Sequence, residues 1–381
     1  MVKVNGTCDE RFAAVSEAFA GNFDRGLDVG ASVCVTIDGE PVVDLWGGTT
    51  DGTLDHPGTV PWERDTITNV WSTTKTMTNL CALVLADHGE IDLHAPVARY
   101  WPEFAAGGKA GVEVRHLLAH TAGLSGWSEP MKPEDLYNWE VATERLARQE
   151  PWWEPGSASG YHAITQGYLV GEVVRRVTGT SVGSFFAKEL AGPREADFHI
   201  GLAPEHDARV AKVIPPPPLP LEGIDPTSLP IRTLINPPLN AEQSWEEGWR
   251  RAEIPAAGGH GNARSVAAVQ SVLACGGEVG GHRYLSERGC EAVFEQQSSG
   301  VDLVLGVPLS FGMGYGLITD ETPLSTNRRS VFWGGWGGSI VVVDLENRMV
   351  VSYVMNRMGE GTVGDERGVN IIFAAYGALA G

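Results

Sequence analysis

The spacing of hydrophobic and polar positions changes character along the chain. Residues 10–20 carry apolar side chains at helical intervals and predict an amphipathic helix. Residues 31–48, "ASVCVTIDGEPVVDLWGG", alternate apolar and polar around Asp38-Gly39, a two-residue turn signal that predicts a β-hairpin. From residue 72 the period becomes helical. A very apolar run follows Ser72, and "EDLYNWEVATERLARQ" (134–149) and "TQGYLVGEVVRRVTG" (165–179) predict two further helices. Prolines crowd residues 214–238, with "PPPP" at 215–218, and predict a long loop of polyproline character within the domain. Residues 330–356, "SVFWGGWGGSIVVVDLENRMVVSYVMN", predict two strands joined at residues 345–348. "GVNIIFAAYGALA" (368–380) predicts a closing helix.

Strands at both ends and helices between them imply an α+β protein. The expected arrangement is one antiparallel sheet from both chain ends, flanked by helices, with a mainly helical domain inserted. The domains expected are residues 1–65 with 300–381, and residues 66–299. No internal repeat is visible. A chain of 381 residues, 43% hydrophobic, can bury a full core without staples.

A net charge of −20 argues against nucleic acid or an anionic membrane as partner. No apolar run approaches the ~18 residues of a membrane span, and the N-terminus shows no signal-peptide core. The five cysteines form no CxxC pair and read as reduced thiols, which predicts a cytoplasmic protein.

The chain has only six lysines, and Lys75 lies one helical turn after Ser72 in "NVWSTTKTMTNLCALVLADHG" (69–89). Residues at i and i+3 share a helix face, with Cβ atoms about 5–6 Å apart. Ser72 would sit in the first turn, where backbone N–H groups favour developing negative charge. A lysine there opposes the helix dipole, so a partner should explain it. Beside the serine it would ease loss of the hydroxyl proton. The plainer reading is a capping serine and a surface lysine, but this is the only SxxK in the chain.

"WEPGSASGYHA" (153–163) brings Tyr161 to the entry of an apolar helix. A tyrosine between cations can act as a phenolate base; otherwise it is a half-buried core residue. "FWGGWGGS" (332–339) places four glycines within five residues before a strand, so the backbone can approach another group closely. It is either part of an oxyanion hole or a bulged edge strand.

Ser72-Thr73-Thr74-Lys75, "HLLAHTAGL" (116–124), "EPGSASGYHA" (154–163) and "WGGWGGS" (333–339) stand in the order of the serine β-lactamase and penicillin-binding protein superfamily. The chain resembles its class C-like branch. More closely it resembles the family VIII carboxylesterases, bacterial esterases on a β-lactamase fold. The resemblance covers nearly the whole chain. It implies Ser72 as nucleophile, Lys75 as its partner, and Tyr161 as the tyrosine of Tyr-x-Asn. Trp333-Gly334-Gly335 matches Lys-Thr-Gly, and the N–H groups of Ser72 and Trp336 would form the oxyanion hole. Two positions depart from the pattern: Ala163 replaces the asparagine and Trp333 the lysine. Both lost groups would meet a β-lactam's amide and carboxylate.

The resemblance therefore implies a serine carboxylesterase that cleaves short-chain acyl, aryl-type esters through an acyl-enzyme on Ser72. The Tyr161 phenolate with Lys75 would be the base. Trp333, Trp336, Trp127 and Trp152, with Gly334 and Gly335, would form an uncharged aromatic pocket. The partner is a small-molecule ester, and no metal or cofactor is called for. The same residues would also serve a β-lactamase, a D-aminopeptidase-like amidase or an acyl transferase. A non-catalytic scaffold is the rival outside enzymes.

Three other motifs are read as structural. Ser181 in "GTSVG" follows a helix, not the strand that a nucleophile elbow requires. His116 and His120 are spaced i, i+4 but lack the Glu of HExxH and a nearby carboxylate ligand. "FGMGYG" (311–316) lacks a surrounding βαβ unit.

Overall fold

The computed structural model describes residues 2–53, 56, 58–217 and 225–380. Three strands from the start of the chain are β1 (Val4–Cys8), β2 (Gly30–Ile37) and β3 (Glu40–Gly48). Six come from its end: β4 (Ser298–Val301), β5 (Pro308–Phe311), β6 (Gly316–Leu317), β7 (Ser330–Gly334), β8 (Ile340–Asp344) and β9 (Met349–Met355). They form one antiparallel nine-stranded sheet in the order β1-β3-β2-β9-β8-β7-β6-β5-β4. The join between the two chain ends is β2 against β9, with Cys34 opposite Ser352 and Val33 opposite Tyr353.

The predicted hairpin forms, with Asp38 at φ 53° and Gly39 at φ 84° in the turn. Two left-handed residues match the twist of the flanking strands. β3 alternates buried and part-exposed positions, whereas β2 is buried almost throughout. Its polar residues face a helix. Thr36 Oγ1 lies 3.0 Å from Ser271 Oγ, and Ser32 Oγ accepts from Ala263 N–H at 3.1 Å. The polar half of the alternation therefore marks a second packed layer, with its hydroxyls satisfied by hydrogen bonds.

The main helices are α1 (Ala13–Asp24), α2 (Thr74–Asp87), α3 (Trp139–Arg148), α4 (Thr165–Thr178), α5 (Ala263–Ala274) and α6 (Glu366–Ala380). α5 packs across β2, β8 and β9, while α1 and α6 pack on each other. Gly368 of α6 lies against Tyr353, which pairs with Val33 on the face away from Ser32 and Thr36. Helices therefore cover both faces of the sheet. α2 packs on α4 and α5, and residues Thr74 to Leu85 are all buried. A helix buried on all sides explains its apolar composition and places Lys75 inside the protein.

Some elements differ from expectation. The predicted helix at 134–149 is split by Asn138, whose side chain caps α3 by accepting from Val141 N–H. The glycines at 335–338 break the last strand region into three strands instead of two. The helical middle also holds a small sheet of Ile67–Asn69, His199–Ile200, Val210–Ala211 and Gly259–Gly261. Strands of two or three residues are too short to show alternation. Within the proline-dense stretch, Leu229–Leu234 is helical. Residues 218–224, including the last proline of "PPPP", lie outside the described residues. Among the described residues no helix is long and apolar enough to cross a membrane. The five cysteines form no disulfide.

Candidate active site

The chain enters α2 through Trp71, a bulky residue at φ 48°. A non-glycine residue there costs about 1–3 kcal/mol and must be held by its surroundings. Here the holding groups are visible. Thr74 Oγ1 donates to Trp71 O at 2.6 Å, and Ser339 Oγ donates to Val70 O at 2.9 Å. The Trp71 ring packs against Trp249 and Trp336, at centroid distances of 5.4 and 5.0 Å. The turn Trp71–Thr73 then presents Ser72 at the head of α2.

Lys75 Nζ lies 3.0 Å from Ser72 Oγ, 2.7 Å from Ala163 O and 3.0 Å from Ala256 O. Burial holds its pKa well below the usual lysine value. In the neutral amine two N–H groups remain, and two carbonyls must each accept one. A neutral amine anchored in this way would leave its lone pair facing Ser72 Oγ, 3.0 Å away.

Tyr161 is also buried. Its N–H donates to Asp302 Oδ1 at 3.0 Å, and Lys75 Nζ sits 4.8 Å from its ring centroid. The phenol oxygen approaches Ser72 and the Trp333 indole without meeting hydrogen-bond geometry with either. Burial pushes its pKa up, and the negative charge of Asp302 adds to the rise. The expected phenolate is therefore corrected: Tyr161 holds its proton. Reading the lysine as a fixed cation produced the wrong sign, because burial disfavours that charge and raises the phenol's pKa.

Gly335 passes directly under Ser72. A Cβ on it would fall 2.3 Å from Val70 O and 3.1 Å from Ser72 N, so only glycine admits this approach. Among the described residues, neither Ser72 N–H nor Trp336 N–H donates to a protein acceptor. Both donors border the same cleft.

That cleft has a volume of about 830 Å³ including its open mouth. Trp71, Ser72, Tyr161 and Ala163 form one side. Ile164, Leu234, Pro237, Leu239, Leu305 and Trp336 supply apolar walls, and none of the lining residues is ionisable except Tyr161. Sequence reasoning missed most of these walls. The one available signal was the row of apolar residues between prolines at 229–239.

Five expected pocket residues do not line the cleft. Trp333 is buried behind Tyr161, with ring centroids 5.4 Å apart, and packs on Phe311 at 5.2 Å. Gly334 ends β7 and Gly335 lies beneath Ser72, so both shape the wall from behind. Trp127 is a core residue whose indole N–H donates to Ala142 O at 3.0 Å. Trp152 lies on a separate outer face, under the Arg232 guanidinium at 3.9 Å, with its N–H on Ser128 Oγ. Aromatic residues close in sequence to a motif thus served packing.

His116 Nδ1 accepts from Glu113 N–H, and His120 Nδ1 accepts from His162 N–H. The His120 ring stands 4.9 Å from Tyr161, and burial lowers its pKa well below normal. Ser181 caps the helix Val182–Phe186 and donates to Glu253 Oε1 at 2.5 Å. "FGMGYG" is the turn between β5 and β6.

Esterase/beta-lactamase LipL of Mycobacterium tuberculosis is 36% identical over 368 residues, covering 93% of this chain and 83% of that protein. The crystal structure of a family VIII carboxylesterase superposes with a TM-score of 0.92 at 41% identity, covering 99% of this chain and 100% of that one. A penicillin-binding protein homologue from Caulobacter crescentus superposes with a TM-score of 0.90 at 36% identity, covering 99% and 100%. The beta-lactamase family model matches residues 19–376, and with that span added to the shared fold, the chain belongs to the beta-lactamase family.

Proposed function

We propose that the protein is a serine carboxylesterase acting on small, apolar, uncharged esters through an acyl-enzyme on Ser72. The observation that carries this reading is the cleft: apolar walls without a fixed cation lead to a serine facing a lysine whose pKa burial lowers. The esterase and carboxylesterase named among the similar proteins support the same assignment.

Lys75 takes the Ser72 hydroxyl proton while Oγ bonds to the ester carbonyl carbon. The carbonyl oxygen gains its charge between the N–H groups of Ser72 and Trp336. The ester C–O bond breaks, and the leaving alcohol takes the proton that Tyr161 has kept. The Lys75 ammonium then restores that proton. Water repeats the sequence on the acyl-enzyme, releasing the acid and free Ser72. Five thiols without a disulfide suit a reducing, cytoplasmic compartment.

A β-lactam brings a carboxylate into the cleft. Desolvating it without a cation costs a charged hydrogen bond of roughly 1.5–3 kcal/mol, about tenfold or more in rate. The test compares kcat/KM for p-nitrophenyl acetate and a chromogenic cephalosporin on one preparation, with fluorophosphonate labelling of Ser72. A strong ester preference is expected. Equal or reversed preference would overturn the esterase reading in favour of a β-lactamase, and absence of labelling would point to a scaffold.

A further inference from the structure

We propose that Asp302 is a positioning residue that holds Tyr161 and the Leu305 wall of the cleft as one unit, setting both the proton transfer and the fit of the ester. The proposal rests on the esterase reading above. Asp302 follows β4 in the loop to β5 and is fully buried. Its Oδ1 accepts three N–H groups, from Tyr161 at 3.0 Å and from Val304 and Leu305 at 2.9 Å each. Leu303 N–H also donates to Ser159 O at 2.9 Å, so the loop is tied twice to the segment that delivers Tyr161. The loop itself is closed by Asp302 N–H on Val307 O and Gly306 N–H on Asp302 O. One carboxylate oxygen thus joins the backbone of the proton donor to the backbone of the cleft wall.

The other oxygen, Oδ2, is buried and has no hydrogen-bond partner among the described residues. A buried carboxylate with one idle oxygen is costly, and an asparagine could accept the same N–H groups without the charge. The charge has a use beside Tyr161. The other titratable groups facing that ring are Lys75 on α2, 4.8 Å from its centroid, and His120, 4.9 Å away, and burial lowers the pKa of both. Burial is the main cause that keeps the phenol protonated for the leaving alcohol, and the negative charge of Asp302 adds to it.

Asp302→Asn and Asp302→Ala separate the two roles. The asparagine keeps an acceptor for the three N–H groups and removes only the charge. Its preference between p-nitrophenyl acetate and butyrate should be retained, while the alkaline limb of kcat moves down by on the order of one pH unit. The alanine releases both segments. Its kcat should fall about tenfold to a hundredfold, and its preference between the two esters should flatten. Leu305→Ala should change that preference without moving the pH limb. An unmoved limb in Asp302→Asn would overturn the proposal, whether or not Asp302→Ala folds. A folded alanine variant with wild-type kcat and ester preference would do the same. Failure of the wild-type protein to turn over any ester would instead overturn the esterase reading.

Discussion

Ser72 and Ser181 each stand at the start of a helix, in a motif that can denote a nucleophile, yet their surroundings differ. Ser181 Oγ accepts Ser184 N–H and donates to Glu253, so its hydroxyl is consumed in capping and bridging. Ser72 comes out of a strained turn at Trp71, makes no such cap, and faces the Lys75 amine. A reactive serine requires its oxygen free of local backbone duty and a base whose own hydrogen bonds are satisfied elsewhere. Ala163 O and Ala256 O provide the second condition.

The strongest test of this contrast is Ser72→Ala, which should lower ester turnover by ~10⁴-fold or more and abolish fluorophosphonate labelling. Mass spectrometry of the trapped intermediate should place the acyl group on Ser72. An acyl group on Ser181 would reverse the comparison.

Next in size are Lys75→Ala and Tyr161→Phe. Each should cost about 10²–10⁴-fold in kcat, and the double variant should be far less impaired than the product of the two. Multiplicative losses would mean that the two residues do not share a proton.

The pH profile sharpens the role of the lysine. Protonated Lys75 cannot accept the Ser72 proton, so kcat/KM should fall as pH drops through its depressed pKa and rise as the amine is freed. A plateau should follow above that pKa. Decline should begin only above about pH 10, where Tyr161 would lose its proton. A profile still climbing at pH 10 would indicate an unperturbed lysine, contrary to its burial.

The smallest effect belongs to Ser181→Ala. Ester turnover should remain at the wild-type level, while loss of the cap should lower stability by about 0.5–2 kcal/mol, read from denaturant midpoints. A loss of turnover at unchanged stability would give Ser181 a part in the chemistry.

Several features were legible in the sequence because they are local. The Asp38-Gly39 hairpin, the helix at 165–178 and the Ser72–Lys75 spacing each depend on residues a few positions apart, where backbone geometry fixes the relation. The candidate pair could therefore be named without a fold, and the glycines at 334–338 marked a close backbone approach. The cleft walls were not legible. Ile164, Leu239 and Leu305 come from distant segments, and their apolar character alone does not say what they face.

The charge states were likewise decided by tertiary structure. Local reasoning placed a cationic lysine beside a tyrosine and predicted a phenolate. Burial of α2 on all sides removes water from Lys75, and Asp302, 141 residues from Tyr161, adds a negative charge near the phenol. Desolvation and long-range charge act through space and leave no mark in residue order, so local spacing named the Ser72–Lys75 pair, while the fold decided what surrounds it and which groups carry protons.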